Sequence, residues 1–412
     1  MRAGFARMEI TPETSCRMAG FDRRKLPSSG ILDSLYVSVI ALFEEDREPF
    51  FFCSYDILGA DRAFCSAMRQ VIAEAFSLED HRIWISATHT HSAPSGVFST
   101  SDVYDTRYIS ILAEKTLSAA KTAAEQAEEV TCHISRIHIP GIASRRNQGR
   151  AGAGFAMPVQ LLRFTGTGEP ITLCLFSCHP TILDEKNTRY SRDLPGAIAA
   201  AVTNGERFLF LNGACADLST RFTRTASSPE ELTRLGGLAA AGIDGSPALE
   251  RTVLGPIRST EKELTLSRDA GLSGEKRDQL LAVLREMEAA CDDPAAKREY
   301  DSRIAVLERQ NVKAEPARKI RICAIDLGPF ALLSLPFEVD SEDGDSLEEI
   351  LSGVAGKPVY VVCYTGGYDG YLPSGLPLGP NSSYEDFASR YAPESRGQVW
   401  ECAKQCVMEF VR

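Results

Sequence analysis

Five times in this chain a strand-like apolar run ends on side chains that can do chemistry. RIWISATHTH ends on His89 and His91, ITLCLFSCH on His179, and RFLFLNGACADLS on Asp217 and Ser219. FALLSLPFE ends on Glu338, and PVYVVCYTGGYDGY on Tyr368 and Tyr371. A spacing of two puts His89 and His91 on one face of an extended segment. On a helix the two rings would diverge by roughly 200°. Two imidazoles on one face can share a metal, or one can bind metal while the other handles a proton. A satisfied surface pair is the plain alternative. His179 alone reads as a hydrogen-bonded structural residue, unless a metal at His89 recruits ligands from distant strands. Glu338 reads either as a helix-capping acid or as a ligand, because acidic residues continue through Asp340, Glu342, Asp343 and Asp345.

Ser219 follows a small-residue turn at Gly213. The turn is not a GxSxG elbow, and a helix N-cap serine is the plain reading. Arg145 and Arg146 follow IPGIAS and could hold a substrate carbonyl or carboxylate. Tyr364, Tyr368, Tyr371, Tyr384 and Tyr391 lie in a Gly/Pro-rich stretch too polar and broken for core. They suit a pocket wall or a loop packed on the surface. His81, His133 and His138 lack any such context and read as structural.

The elements that must position these residues alternate. LYVSVIALF and PFFFCSYD read as strands, residues 61–77 as a helix with Phe64, Met68, Ile72 and Phe76 four apart, and RIWIS as the next strand. Residues 107–128 are Ala-rich and helical. This βαβ rhythm predicts an α/β layered fold, in which sites form where strands end and loops begin. Residues 273–311 differ: they are charged and nearly free of aromatics and glycine. Leu281, Leu284 and Met287 share one face, Ile304 and Leu307 lie on a second segment, and Asp292-Asp293-Pro294 turns between them. The expectation is an inserted helical hairpin, a peripheral support or oligomer contact lying away from the metal.

At 412 residues the chain suits one large domain. A hydrophobic content of 44% and a charged content of 25% are ordinary for a globular protein. A net charge of −11 argues against a nucleic-acid partner, which needs a basic surface. The first residues lack the apolar run of a signal peptide, and no stretch is long enough for a transmembrane helix. Twelve cysteines without CxxC pairs then read as reduced, mostly buried thiols, predicting a cytoplasmic protein. Homo-oligomer formation is left open.

Taken in order, GFARMEITP with MAGF, GILDSLYVSVIAL, SYDILG, ISATHTHSAP, the SRR segment, SCHPTIL with SRDLPG, NGACADLSTR, SLPFEV and GYDGYLPS resemble the catalytic domain of the neutral/alkaline ceramidase family. These landmarks run from residue 3 to about 395. The resemblance implies an α/β fold with a large mixed sheet core flanked by helices, spanning 1–412 as a single catalytic domain without the family's C-terminal sandwich domain. It implies one catalytic Zn²⁺, with His89, His179, Glu338 and Tyr371 as ligands; Tyr371 is preferred to Tyr368 because it immediately precedes the Leu-Pro segment. It further implies catalytic roles for Ser219, His91, Arg145 (Arg146 is one register away) and Tyr391. The implied reaction is hydrolysis of a linear amide in a small-molecule or N-acyl lipid substrate, by metal-activated water or by serine attack. Two positions depart from the family pattern. Ala216 stands where the family has glycine, and Thr220 where it has proline. The alternatives are an esterase or amidase for a small polar substrate, and a non-catalytic binding protein on the same scaffold. A polar pocket with a charged anchor would favour the small polar substrate.

Overall fold

The computed structural model describes residues 1–44, 47–146, 154–203, 207–246, 250–269, 272, 274–309 and 317–411. Helices α1 (Arg62–Phe76), α2 (Thr106–Glu125), α3 (Asp193–Ala201), α4 (Pro229–Asp244), α5 (Gly274–Ala289), α6 (Pro294–Arg309), α7 (Ser341–Ala355), α8 (Tyr384–Ala388) and α9 (Ser395–Met408) surround three main sheets, beside two two-stranded ones. Local chemistry sets their ends. Asp61 accepts the Phe64 amide at 2.9 Å and starts α1, and Ser77 closes that helix in a left-handed conformation. Asp105 starts α2 in the same way, accepting from the Tyr108 amide at 3.0 Å.

The first sheet runs Ile83–Ala87, Phe50–Tyr55, Tyr36–Phe43, Arg2–Glu9, Glu128–Glu129. The second runs Phe208–Asn212, Ile171–Phe176, Ala156–Thr165, Thr131–Pro140, Glu250–Thr252. The third runs Arg258–Leu266, Arg318–Asp326, Ala331–Ser334, Val359–Val362. Each is antiparallel except for one edge pair. Phe50–Tyr55 with Ile83–Ala87, Ile171–Phe176 with Phe208–Asn212, and Ala331–Ser334 with Val359–Val362 are parallel. Each parallel pair is joined through a helix: α1, α3 and α7 respectively.

Side chains alternate along these strands. Phe50, Phe52, Trp84, Leu173, Leu209, Leu332 and Val362 meet in an inner core built from strands of all three sheets. Their neighbours Phe51, Cys53, Ile85, Cys174, Phe210, Leu333 and Val361 face an outer core shared with the helices. With both faces covered, the parallel pairs read as continuous apolar runs.

The segment expected to form a helical hairpin folds as α5 and α6; its ends, 273 and 310–311, lie outside the described residues. Pro294 opens α6, as the Asp-Asp-Pro turn predicts. Leu280, Leu281, Leu284, Ile304 and Leu307 form a small cluster of their own with Phe387 of α8. The expectation that this hairpin lies away from the site is not met. Arg298, Glu299, Ser302, Ala305, Val306 and Arg309 of α6 line the same cavity as His91 and His179. The composition of the hairpin marked it as an insertion, but only the packing of Ile304 and Leu307 on α8 decides which surface it covers.

Candidate metal centre

In a parallel pair both strands end on the same side, so each edge pair delivers two strand ends together. His89 follows Ile83–Ala87, His179 follows Ile171–Phe176, and Glu338 follows Ala331–Ser334. The Nε2 atoms of His89 and His179 lie 3.4 Å and 3.1 Å from Glu338 Oε2. All three side chains are buried.

The neighbouring strand end orients each of them. His89 Nδ1 donates to the carbonyl of Leu58 at 2.7 Å, just past Phe50–Tyr55. His179 Nδ1 donates to the carbonyl of Cys215 at 2.8 Å, just past Phe208–Asn212. With Nδ1 committed to a carbonyl, a neutral ring presents Nε2 as its bare, electron-donating nitrogen. The Tyr368 hydroxyl, beyond Val359–Val362, donates to Glu338 Oε1 at 2.6 Å. That leaves Glu338 Oε2 buried without a hydrogen-bond partner.

His91 completes a three-histidine cluster whose ligand atoms lie within 4.8 Å of one another. Its Nε2 is 3.3 Å from that of His89. Gly20, at φ 99°, makes room for it, since a Cβ there would come within 2.5 Å of the ring. Burial, followed by the neighbouring His89 and His179, pulls His91 well below the ordinary imidazole range. Burial also lowers His179. Burial alone would raise Glu338, but the facing imidazoles outweigh it and hold the carboxyl well below its usual range. Two imidazole nitrogens and a carboxylate oxygen, facing one another at 3.1–3.4 Å, are a fitting donor set for a divalent metal.

The backbone carries strain here. His89 has φ 69° and Tyr364 φ 54°, left-handed values that L-residues with side chains rarely adopt. Their rings stack, with centroids 4.2 Å apart.

A cavity of about 280 Å³ opens above His91 and His179. Ser219 lines it, and its Oγ also accepts the Arg221 amide at 3.3 Å, so it caps a short 3₁₀ turn at the cavity wall. Of the two adjacent arginines, Arg146 lines the cavity. Arg145 turns toward α7, donating to Ser341 Oγ at 3.1 Å and Glu342 at 2.8 Å. Asp217 also serves α7, accepting from Ser341 N and Oγ at 2.7 Å and 2.9 Å.

The tyrosine segment divides. Tyr371 and Tyr384 line the cavity. Tyr364 and Tyr368 pack beside His89. Tyr391 lies elsewhere: it donates to Asp369 at 2.9 Å, packs on Phe337 and sits under Arg268. Tyr384 occupies a wall position that the sequence offered only as one tyrosine among five. Burial, then the charge of Glu338, raises Tyr371 and Tyr368 well above the ordinary phenol range.

No protein-family model matches the chain, and no curated protein matches it. Two solved structures share its fold. One is the neutral ceramidase from Pseudomonas aeruginosa, at a TM-score of 0.78 and 15% identity, covering 99% of this chain and 74% of that one. The other is a ceramidase complexed with C2, at a TM-score of 0.79 and 14% identity, covering 100% of this chain and 75% of that one.

Proposed function

We propose that this chain is a zinc-dependent hydrolase that cleaves an amide bond in an N-acyl compound. One observation carries the reading: Glu338 Oε2 is buried, has no hydrogen-bond partner, and faces the Nε2 atoms of His89 and His179. A buried carboxylate oxygen left bare is costly, and a cation is the partner its surroundings suit. In this reading His89, His179 and Glu338 hold the metal, with Tyr371 as the fourth ligand. The fold shared with ceramidases supports an amide as the bond cleaved.

When bound, zinc supplies Lewis acidity at the amide carbonyl and at the attacking oxygen. The chain's own residues do the rest. Neutral His91 takes a proton from the attacking water, or from the Ser219 hydroxyl with a water then releasing the acyl group from that serine, and returns it to the leaving nitrogen. Arg146, in the cavity wall, stabilises the negative charge that grows on the carbonyl oxygen. The role the sequence offered to Arg145 passes to Arg146, and none is proposed for Tyr391. The charged wall favours a small polar amide over a long-chain lipid. The thiols are all unpaired and mostly buried, which suits a cytoplasmic enzyme. No helix among the described residues is long and apolar enough to cross a membrane.

Elemental analysis of the purified chain tests the metal. About one zinc per chain is expected, and its loss in a folded His89→Ala/His179→Ala variant. Full metal retention in that variant would remove the assignment.

A further inference from the structure

Six arginines reach the cavity above the histidines: Arg23, Arg146, Arg221, Arg224, Arg298 and Arg309, against four carboxylates. Four of the six have an acidic partner. Arg146 meets Glu385, Arg221 lies 3.1 Å from Glu299, Arg298 lies 3.0 Å from Glu185, and Arg309 contacts Asp22. Two do not. Arg224 gives its Nη1 to the backbone carbonyls of Thr181 and Ile182. Arg23, exposed at the rim, has no ion pair among the described residues. The wall therefore carries more positive charge than its own acids neutralise. Phe21, Ala305 and Val306 and the rings of Tyr371 and Tyr384 supply the apolar part of the lining.

We propose that this wall is an oxyanion subsite beside the reacting centre, in which Arg221, Arg224 and Arg23 hold a carboxylate or phosphate group on the substrate. The cavity then takes an anionic amide, and this substrate class rests on the hydrolase reading above. Guanidinium forks match oxyanions by two parallel hydrogen bonds, and the match strengthens where water is scarce. Arg221 is well placed for this. Its own amide donates to Ser219 Oγ, and Ser219 bridges to the backbone of His179, so the Arg221 side chain starts two residues from that bridge. Burial, with Arg146 nearby, lowers Arg221, and burial lowers Arg224. Arg221 shares its acidic partner, Glu299, with Arg303, and Arg224 feels Asp193 and Asp184 without forming an ion pair among the described residues, so a bound anion adds negative charge that both guanidinium groups can use. Helix α6 closes the far wall with Arg298 and Arg309, so the hairpin belongs to substrate selection.

Titration calorimetry on the full chain, as isolated and as the metal-free His89→Ala/His179→Ala variant, tests the subsite. The probes are N-acetylglycine, its neutral counterpart N-acetylglycinamide, and inorganic phosphate. At least one anion is expected to bind about tenfold or more tightly than the neutral amide, in both proteins. Arg221→Met should reduce that preference to about threefold or less, and Arg221→Lys should keep part of it. Arg23→Met, at an exposed position, repeats the comparison if Arg221→Met fails to fold. Equal affinity for charged and neutral probes, or an unchanged preference in the folded arginine variants, overturns the proposal. Turnover is measured separately on the zinc-loaded chain. Anion preference without cleavage of any amide would leave the subsite standing and remove the hydrolase reading.

Discussion

His89 holds a left-handed backbone conformation that costs a non-glycine residue on the order of 1–3 kcal/mol, and it keeps it because two hydrogen bonds fix it. Its amide donates to the Ile57 carbonyl at 3.0 Å and its Nδ1 to the Leu58 carbonyl at 2.7 Å. Residues around such a fixed point are separable by mutation. His91→Ala and Ser219→Ala should keep zinc and fold while kcat falls, typically by about 10²–10³-fold for a lost transition-state contact. Full turnover in Ser219→Ala would reduce that serine to the cap of its 3₁₀ turn. Arg146→Ala should cost a comparable factor, whereas Arg145→Ala, which breaks contacts to α7, should act on stability more than on kcat. A pH effect arises at Glu231. Hydrogen bonding to Arg234 first, with the Thr225 contacts, holds this carboxyl down at about 2 against an ordinary 4.5. A lowered folded-state value means stability that is present above pH 4.5 and is lost as pH falls toward 2. Arg234 is half-exposed, so screening reduces the contribution to about 1–2 kcal/mol. Glu231→Gln should show that deficit in urea melts at about pH 7 and close most of it by about pH 3.

Asn212 ties the parallel strand pairs to one another. Its Nδ2 donates to the carbonyls of Thr88 and Cys178, each at 3.3 Å, and its Oδ1 accepts the Cys178 amide at 3.3 Å. Its own carbonyl takes the Cys363 amide at 2.9 Å. One fully buried side chain thus sits between the segments that carry His89 and His179, with its backbone anchoring the segment that leads to Tyr364. Asn212→Ala leaves several buried backbone groups bare. A loss of about 2–4 kcal/mol is expected in denaturant melts, together with weaker zinc affinity, because the two imidazoles lose their common brace. A variant of unchanged stability would show that the sheets hold the strand ends without it.

The molecule combines two extensive cores that span all three sheets with a small satellite cluster under α5 and α6. A satellite of this size can open without the rest. Leu307 is fully buried in it. Leu307→Ala should weaken hairpin docking by about 2–4 kcal/mol. Amide exchange in α5 and α6 should accelerate while the main unfolding transition stays in place. An equal drop in the global transition would make the hairpin part of the main cooperative unit. Because α6 walls the cavity, the same variant should raise KM for the substrate.

Much of this was legible along the chain. Continuous apolar runs bounded by turn residues marked the strands, Asp-Asp-Pro marked the start of α6, and reactive residues at strand ends marked the positions of His89, His179 and Glu338. These signals are local, since they depend on backbone periodicity and on residues a few positions apart. What they could not decide is direction. Arg145 and Arg146 are adjacent in sequence, yet one meets the acids of α7 and the other the cavity. Tyr371 and Tyr384 face the cavity and Tyr391 does not, although all lie in one Gly/Pro-rich stretch. The hairpin's composition gave its helices but not its resting place. Each of these choices depends on contacts with segments far along the chain, so only the packed tertiary structure, with its parallel strand ends brought side by side, could make them.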